Sequence, residues 1–384
     1  TKWIKTANLG TSSKFNVDGL AFDYAGDLYV VSSSSERFYK FVIPTNNNTC
    51  ITPAKKSSTF DGAPVARVFA YGLNVVDNGN SYTFSFTPNA TAKSGRIIVY
   101  NGETKVQVKE FAIDAPITKG VKKEMTISKW NLPKLVGMTW AVELTGEKVE
   151  SLAVLNNTGD TDKYRFYRPQ GVAIDNNPES DFFGRMYIAY PEDNGVTVHK
   201  EGIVVFDPLH KSLKSTSIKP TGVGAFSNGQ YQMHRIAVNP VNNKVYYTKS
   251  MTGTAIYEMT PDATNVLSDG GTAKNVISGI TAITNANSLC FDEEGTMYVL
   301  ANANYSGGYT GKIYKVSNGT ATEFTTQSYD WAAKDNAIVS DGRGGFWVAQ
   351  HREDFGSEDV LSHINSVGVR DFYVDKNTNA NLLV

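Results

Sequence analysis

Short apolar segments alternate with polar turns along this chain, and one arrangement of them recurs. A small residue opens a brief apolar strand that ends on a polar residue; a turn follows, then a strand rich in aromatic and β-branched residues. Gly19-Leu-Ala-Phe-Asp23 leads to Asp27-Leu-Tyr-Val-Val31, and Gly171-Val-Ala-Ile-Asp175 leads to Arg185-Met-Tyr-Ile-Ala189. The series continues with Arg235-Ile-Ala-Val-Asn239 and Lys244-Val-Tyr-Tyr-Thr248, then Ser288-Leu-Cys-Phe-Asp292 and Thr296-Met-Tyr-Val-Leu300. Its last copy is Asn336-Ala-Ile-Val-Ser340 and Gly345-Phe-Trp-Val-Ala349. Third strands such as Gly202-Ile-Val-Val-Phe206 and Lys312-Ile-Tyr-Lys-Val316 follow. The strand ends at 175, 239, 292 and 340 lie 64, 53 and 48 residues apart. A repeat of about 50 residues holding three or four strands predicts an all-β fold, a β-propeller. Five blades are visible, and a sixth would have Lys2-Trp-Ile-Lys5 as its remnant.

The first interval, from 23 to 175, is 152 residues and holds an insertion. Residues 66–148 carry alternating strands of their own, among them Tyr82-Thr-Phe-Ser-Phe86, Arg96-Ile-Ile-Val-Tyr100 and Thr139-Trp-Ala-Val-Glu-Leu144, with Asn101-Gly102 as a hairpin turn. They predict an immunoglobulin-like β-sandwich with Trp140 in its core; two irregular blades are the alternative. The expected division is 1–62 as blade or closing strands, 66–148 as sandwich and 151–384 as propeller blades.

Composition supports this reading. Gly 33, Tyr 20 and Phe 19 suit short strands and tight turns. Hydrophobic residues at 41% and charged residues at 20% exclude a disordered chain. Lys+Arg 37 against Asp+Glu 38 leaves a net charge of -1, which offers no footprint for nucleic acid. No apolar run approaches the roughly 18 residues of a membrane helix. The chain shows neither an initiating Met nor a signal-peptide pattern, and is read as a mature or excised segment. Of its two cysteines, Cys290 lies in an apolar strand and Cys50 in a polar stretch; whether they pair stays open.

The stretch Tyr164-Arg-Phe-Tyr-Arg-Pro-Gln-Gly-Val-Ala-Ile-Asp175, continuing to Met186-Tyr187 and preceded by Trp140-Ala-Val-Glu-Leu-Thr-Gly146, carries a resemblance. It is similar to secreted or surface-attached bacterial proteins that join a flagellar-hook-cap-like (FlgD-type) immunoglobulin fold to an NHL-like propeller. The resemblance covers nearly the whole chain and implies a non-catalytic protein outside the cell or on the surface of a Gram-negative bacterium. The order of parts departs from that family: the blade at residues 15–45 comes first instead of late. Residues 1–60 therefore either close the ring in their own chain or complete a neighbouring module.

In a propeller, the loops entering the innermost strand share one face with those leaving the second strand. Counting back five from each strand end gives Asp18, Gln170, His234, Asn287 and Asp335, all polar. Arg168 lies two residues before Gln170, and Tyr190, His351 and Arg352 lie where second strands leave. Such a ring could bind a polyhydroxylated ligand, a glycan, or a surface protein; the alternative is ordinary turn chemistry. Arg168, Gln170, His234 and Arg352 are not turn formers, which favours a site. A hydrolase or lactonase would draw on Asp18, His234 and Asp335. The five histidines show no close metal spacing, and His210 after Asp207-Pro208 reads as a turn residue. Asp375-Lys-Asn377-Thr-Asn379 resembles the start of a calcium loop but has Ala380 where that loop needs Gly. No cofactor and no metal is expected. The leading expectation is a non-catalytic extracellular binding module. A surface-assembly or filament subunit joined through terminal strands, and a propeller hydrolase, are the alternatives.

Overall fold

The computed structural model describes residues 19–32, 37–42, 49–53, 68–132, 137–147, 153–154, 166, 169–190, 202–211, 213, 235–249, 255–262, 268–269, 272–301, 310–330, 337–349 and 359–375. The described residues are almost entirely β, with one short 3-10 turn at Lys129–Asn131. No helix among them is long and apolar enough to cross a membrane.

The chain begins with β1 (Gly19–Phe22), β2 (Leu28–Ser32) and β3 (Arg37–Val42). Seven strands follow: β4 (Thr49–Pro53), β5 (Ala70–Asp77), β6 (Ser81–Pro88), β7 (Ser94–Tyr100), β8 (Gln107–Ala112), β9 (Lys123–Ser128) and β10 (Thr139–Thr145). The chain then returns: β11 (Ala153–Val154) pairs with β3 and completes a sheet of order β1-β2-β3-β11.

Four further sheets continue the series. β12 (Gly171–Ile174), β13 (Met186–Tyr190) and β14 (Gly202–Phe206) form the second, and β15 (Ile236–Val238), β16 (Val245–Lys249) and β17 (Ala255–Met259) the third. A two-stranded hairpin, β18 (Ser268–Asp269) and β19 (Thr272–Ala273), comes next. The fourth sheet holds β20 (Ala286–Phe291), β21 (Met297–Ala301), β22 (Thr310–Ser317) and β23 (Thr320–Glu323), with β24 (Tyr329–Asp330) beside β22. The fifth holds β25 (Ala337–Ser340), β26 (Phe346–Ala349), β27 (Asp359–Ile364) and β28 (Arg370–Asp375). Every pairing is antiparallel, and the first strands lie side by side in the order β1, β12, β15, β20, β25. This is the radial arrangement of a β-propeller, and the blade at the front of the chain stands beside the second.

Apolar clusters fill each junction. Tyr29, Val31 and Phe38 of the first blade meet Val172, Ile174, Met186 and Ile188 of the second. Ala173, Tyr187 and Ala189 turn the other way, onto Ile236, Val245 and Tyr247 of the third. Strands lying between two neighbours are apolar on both faces, which is why β12 and β14 are buried throughout. The inner strands run close together, and a Cβ on Gly19 would lie 3.0 Å from Gly171 Cα.

The polar residue ending each inner strand seals a turn. Asp23 Oδ1 accepts from the Ala25 and Asp27 amides at 3.0 and 2.9 Å. Asn239 Oδ1 accepts from Val241 and Asn242, and Asp292 Oδ1 from Thr296. In the fifth blade this acceptor is Asp341, bonded by the Arg343 and Gly345 amides at 2.7 and 2.9 Å. Ser340, read above as the strand end, is still in the ladder opposite Phe346. The last copy is therefore displaced by one residue, and counting back five reaches Asn336 rather than Asp335.

The intervening strands form two sheets, β4-β10-β7-β8 and β5-β6-β9. Phe84 and Phe86 of one sheet and Ile97, Val99, Val142 and Leu144 of the other close on a single core, with Trp140 edge-on to Phe84 at 4.9 Å. β4, at residues assigned above to the first blade, pairs with β10 instead. Its Thr52 is fully buried there, and the hydroxyl accepts the Ala70 amide at 3.2 Å. Cys50 and Cys290 are both free and buried, Cys50 beside Phe69 and Cys290 in the cluster between the fourth and fifth blades.

Candidate functional site

The hairpin registers define two ends of the propeller. Gly171 is opposite Ala189, so Gln170 and Tyr190 come to the same end, where the Gln170 amide donates to Ala189 O at 3.0 Å. In the third blade the Arg235 amide donates to Thr248 Oγ1, and the Thr248 amide donates to Arg235 O, both at 2.8 Å. In the fourth, Ala286 is opposite Ala301, which puts Asn287 at the same end of β20. Three adjacent inner strands thus present Gln170, Arg235 and Asn287 where the second strands leave.

Gln170 is half-buried, and its carbonyl accepts from Arg235 Nη1, which ties the second blade to the third. Asn287 is buried within β20 where the register with β21 shifts between Ala286 and Ser288. Such a bulge re-aims the side chain relative to a regular strand. Tyr190 closes β13 opposite Gly202 in the backbone ladder. Asp18, Arg168, His234, Asp335, His351 and Arg352 lie outside the described residues. So do the three groups assigned to a hydrolase, and Lys376 to Ala380 of the calcium-loop-like stretch. Among the described residues no group of three or more His, Cys, Asp or Glu could hold a metal ion.

Arg235 was not among the residues singled out from the sequence. It occupies the position that is Gly19, Gly171, Ser288 and Ala337 in the other blades, and it is buried. A lone arginine in a column of small residues was the available signal. Its guanidinium has five donors, and the reach to a neighbouring blade's carbonyl is how such a group is satisfied in a crowded interior.

The opposite end carries the turns, and a belt of side-chain amides runs along it. Asn176 Nδ2 donates to Phe22 O at 2.9 Å, Asn177 Nδ2 to Asn243 Oδ1 at 2.7 Å, and Asn239 Nδ2 to Gly295 O at 2.9 Å. The sandwich sits against this end. Tyr24, Phe69 and Phe183 cluster with Ala25 and Cys50, and Tyr24 and Phe183 stack edge-on at 4.8 Å. Tyr24 Oη donates to Ile51 O at 3.2 Å, and burial raises its pKa far above the ordinary phenol value, with Cys50 adding to the effect. Gly184, at φ 77, leaves room for this contact: a Cβ there would stand 2.8 Å from Pro208 Cγ and 3.1 Å from the Phe69 ring. His210 is a turn residue, at φ 64, and its Nε2 meets Tyr29 Oη at 2.8 Å. The described contacts of the sandwich lie at the turn end of the propeller.

No family model matches the chain, and no curated protein sequence matches it. Several solved structures are similar in fold. Phage phi92 endosialidase is 12% identical with a TM-score of 0.41; the match covers 90% of this chain but only 54% of that one. An inactive virginiamycin B lyase from Staphylococcus aureus with quinupristin is 14% identical, at a TM-score of 0.38, over 94% of this chain and 85% of the lyase. Regucalcin from Agrobacterium tumefaciens strain C58, a calcium-binding protein, is 10% identical, at a TM-score of 0.34, over 92% of this chain and 90% of its own.

Proposed function

We propose that the protein is a non-catalytic binding module acting outside the cell or at its surface, and that the Gln170 end of the propeller takes a polyhydroxylated ligand, a glycan. The observation that supports this most directly is the convergence of Gln170, Arg235 and Asn287 at one end, while the sandwich packs against the other. Arg235 and Asn287 are buried and shape that end; in this reading the polar residues of the loops around them supply directed hydrogen bonds, and aromatic residues expected on the same loops supply stacking faces for sugar rings. Arg168, His234, Asp18, His351 and Arg352 extend the same face in this reading. The sandwich, of immunoglobulin type in this reading and including Thr49–Pro53, serves as spacer or dock, with the propeller in residues 19–42 and 151–384.

The test is capture on a glycan array by the wild type and by Arg168→Ala and His234→Ala. Loss of at least tenfold in capture, with a Tm within a degree or two of wild type, is the expected result. Equal capture by the variants would sink the site. Turnover of a glycoside or lactone panel would replace the binding reading with a catalytic one.

A further inference from the structure

The sandwich has a propeller end and a far end. Phe69, Pro88 and Gly120 mark the first: Phe69 packs with Tyr24 and Phe183, the Gly120 amide donates to Pro88 O at 2.9 Å, and a Cβ on Gly120 would stand 2.7 Å from Leu209 Cδ1. The registers of β5, β6 and β9 carry Asp77, Ser81 and Ser128 to the other end. The eight residues of β6 set the two ends about 24 Å apart.

At the far end Trp130 stands 93% exposed on the 3-10 turn Lys129–Asn131. The turn is pinned in place. Ile127 before it and Leu132 after it are buried in the sandwich core. Ser128 Oγ accepts the Trp130 amide at 3.4 Å, the Leu132 amide donates to Lys129 O at 3.2 Å, and the Lys129 amide donates to Asn80 O at 2.9 Å. Lys129 Nζ reaches Asp77 Oδ1 at 2.6 Å and lies over the Tyr82 ring at 4.5 Å. A single exposed aliphatic side chain needs no explanation. An indole is a different case, because burying one is among the larger apolar gains open to a chain. Here the backbone is fixed on both sides of the residue and the ring is held out in water.

The groups around the ring select a ligand. Asn131 beside it, and Asn78 and Asn80 on the adjoining hairpin, are exposed amides that can both donate and accept. Asn78 Nδ2 donates to Thr83 Oγ1 at 2.8 Å, and the Thr83 and Thr126 hydroxyls lie 2.9 Å apart, so hydroxyl groups continue the polar surface. Lys129, the ion next to Trp130 in the chain, is paired with Asp77, which leaves little attraction for phosphate or an acidic lipid. A flat apolar face bordered by neutral hydrogen-bonding groups fits a pyranose ring, which is apolar on its C–H face and polar at its rim. We propose that the far end of the sandwich binds a neutral polysaccharide, with the Trp130 indole against a sugar face and Asn78, Asn80 and Asn131 bonding its hydroxyls. The sandwich is then a binding part in its own right and more than a spacer or dock. This site does not rest on the Gln170 end of the propeller.

Native gels of the full chain, cast with and without hydroxyethyl cellulose, glucomannan or arabinoxylan, test it. At least one polymer is expected to retard the wild type, with affinity falling tenfold or more in Trp130→Ala and less in Trp130→Tyr. Arg168→Ala and His234→Ala are expected to leave this retardation unchanged, which separates the sandwich site from the Gln170 end. The same polymer is expected to shift the tryptophan emission of the wild type to the blue and to shield it from acrylamide, and to do neither in Trp130→Ala. The Tm of Trp130→Ala is expected within a degree or two of wild type, since the ring is exposed. Retardation by none of the three polymers would overturn the proposal. So would equal retardation of Trp130→Ala, and if Arg168→Ala then lost it, the propeller reading alone would stand. Binding to phosphatidylcholine vesicles that disappears in Trp130→Ala would overturn it too, by assigning the ring to a membrane surface.

Discussion

Lys40 is buried between two buried carboxylates, Asp23 at 3.3 Å and Asp27 at 2.9 Å. Burial opposes its charge, but Tyr29, Asp23 and Asp27 outweigh that and hold the ammonium above its ordinary range. Lys40→Met would leave two carboxylates together without a cation, at a cost of about 3–5 kcal/mol; urea unfolding is expected to show that loss. His363 is a second such group. Its Nδ1 lies 2.6 Å from Asp371 Oδ1 and its Nε2 3.0 Å from Asp341 Oδ2. Carboxylates only accept, so the doubly protonated ring satisfies both. Partial burial works against that charge, and the bonds to Asp371 and Asp341 reverse it, raising the pKa above 6.5. The folded state therefore holds this proton more tightly than the unfolded chain does. The stabilisation is complete below the unfolded value of about 6.5 and is lost as pH rises through the folded one. The Tm advantage of wild type over His363→Gln is expected to shrink between mildly acid and mildly alkaline buffer; a constant difference would remove the clamp from the account.

At the scale of the element, the strands were legible because their chemistry is local. A β-branched or aromatic run with a polar stop and a tight turn can do little else; four of the five copies fold as read and the fifth is displaced by one residue. The one-residue slip in the fifth blade has a local cause: Ser340 and Asp341 are adjacent turn formers, and only the ladder decides which of them ends it. β4 was misplaced because Thr49–Pro53 has no mark that tells a blade from a sandwich. Close strand spacing leads to a further expectation. Gly19→Val would press on Gly171 Cα, Val31 Cγ2 and Val172 N, now 3.0–3.1 Å from an added Cβ. Overpacking of that kind costs about 1–3 kcal/mol, read as a lowered denaturant midpoint, whereas Gly79→Ala meets nothing and pays only for its φ of 82.

Across the whole molecule, Phe69 joins the sandwich to the first two blades through Tyr24 and Phe183, at ring distances of 6.0 and 5.1 Å. Phe69→Ala is expected to separate one calorimetric transition into two, since it removes the anchor without touching the core around Trp140; a single unchanged transition would show that the contact does not couple the parts. Composition and periodicity were enough to determine an all-β chain with a fifty-residue repeat and one interruption, because alternation and turn propensity are properties of neighbours along the chain. Tertiary structure alone decided that the front blade stands beside the second and that Arg235 spans two blades. Those outcomes depend on which surfaces meet across hundreds of residues, and no short-range preference encodes such a meeting.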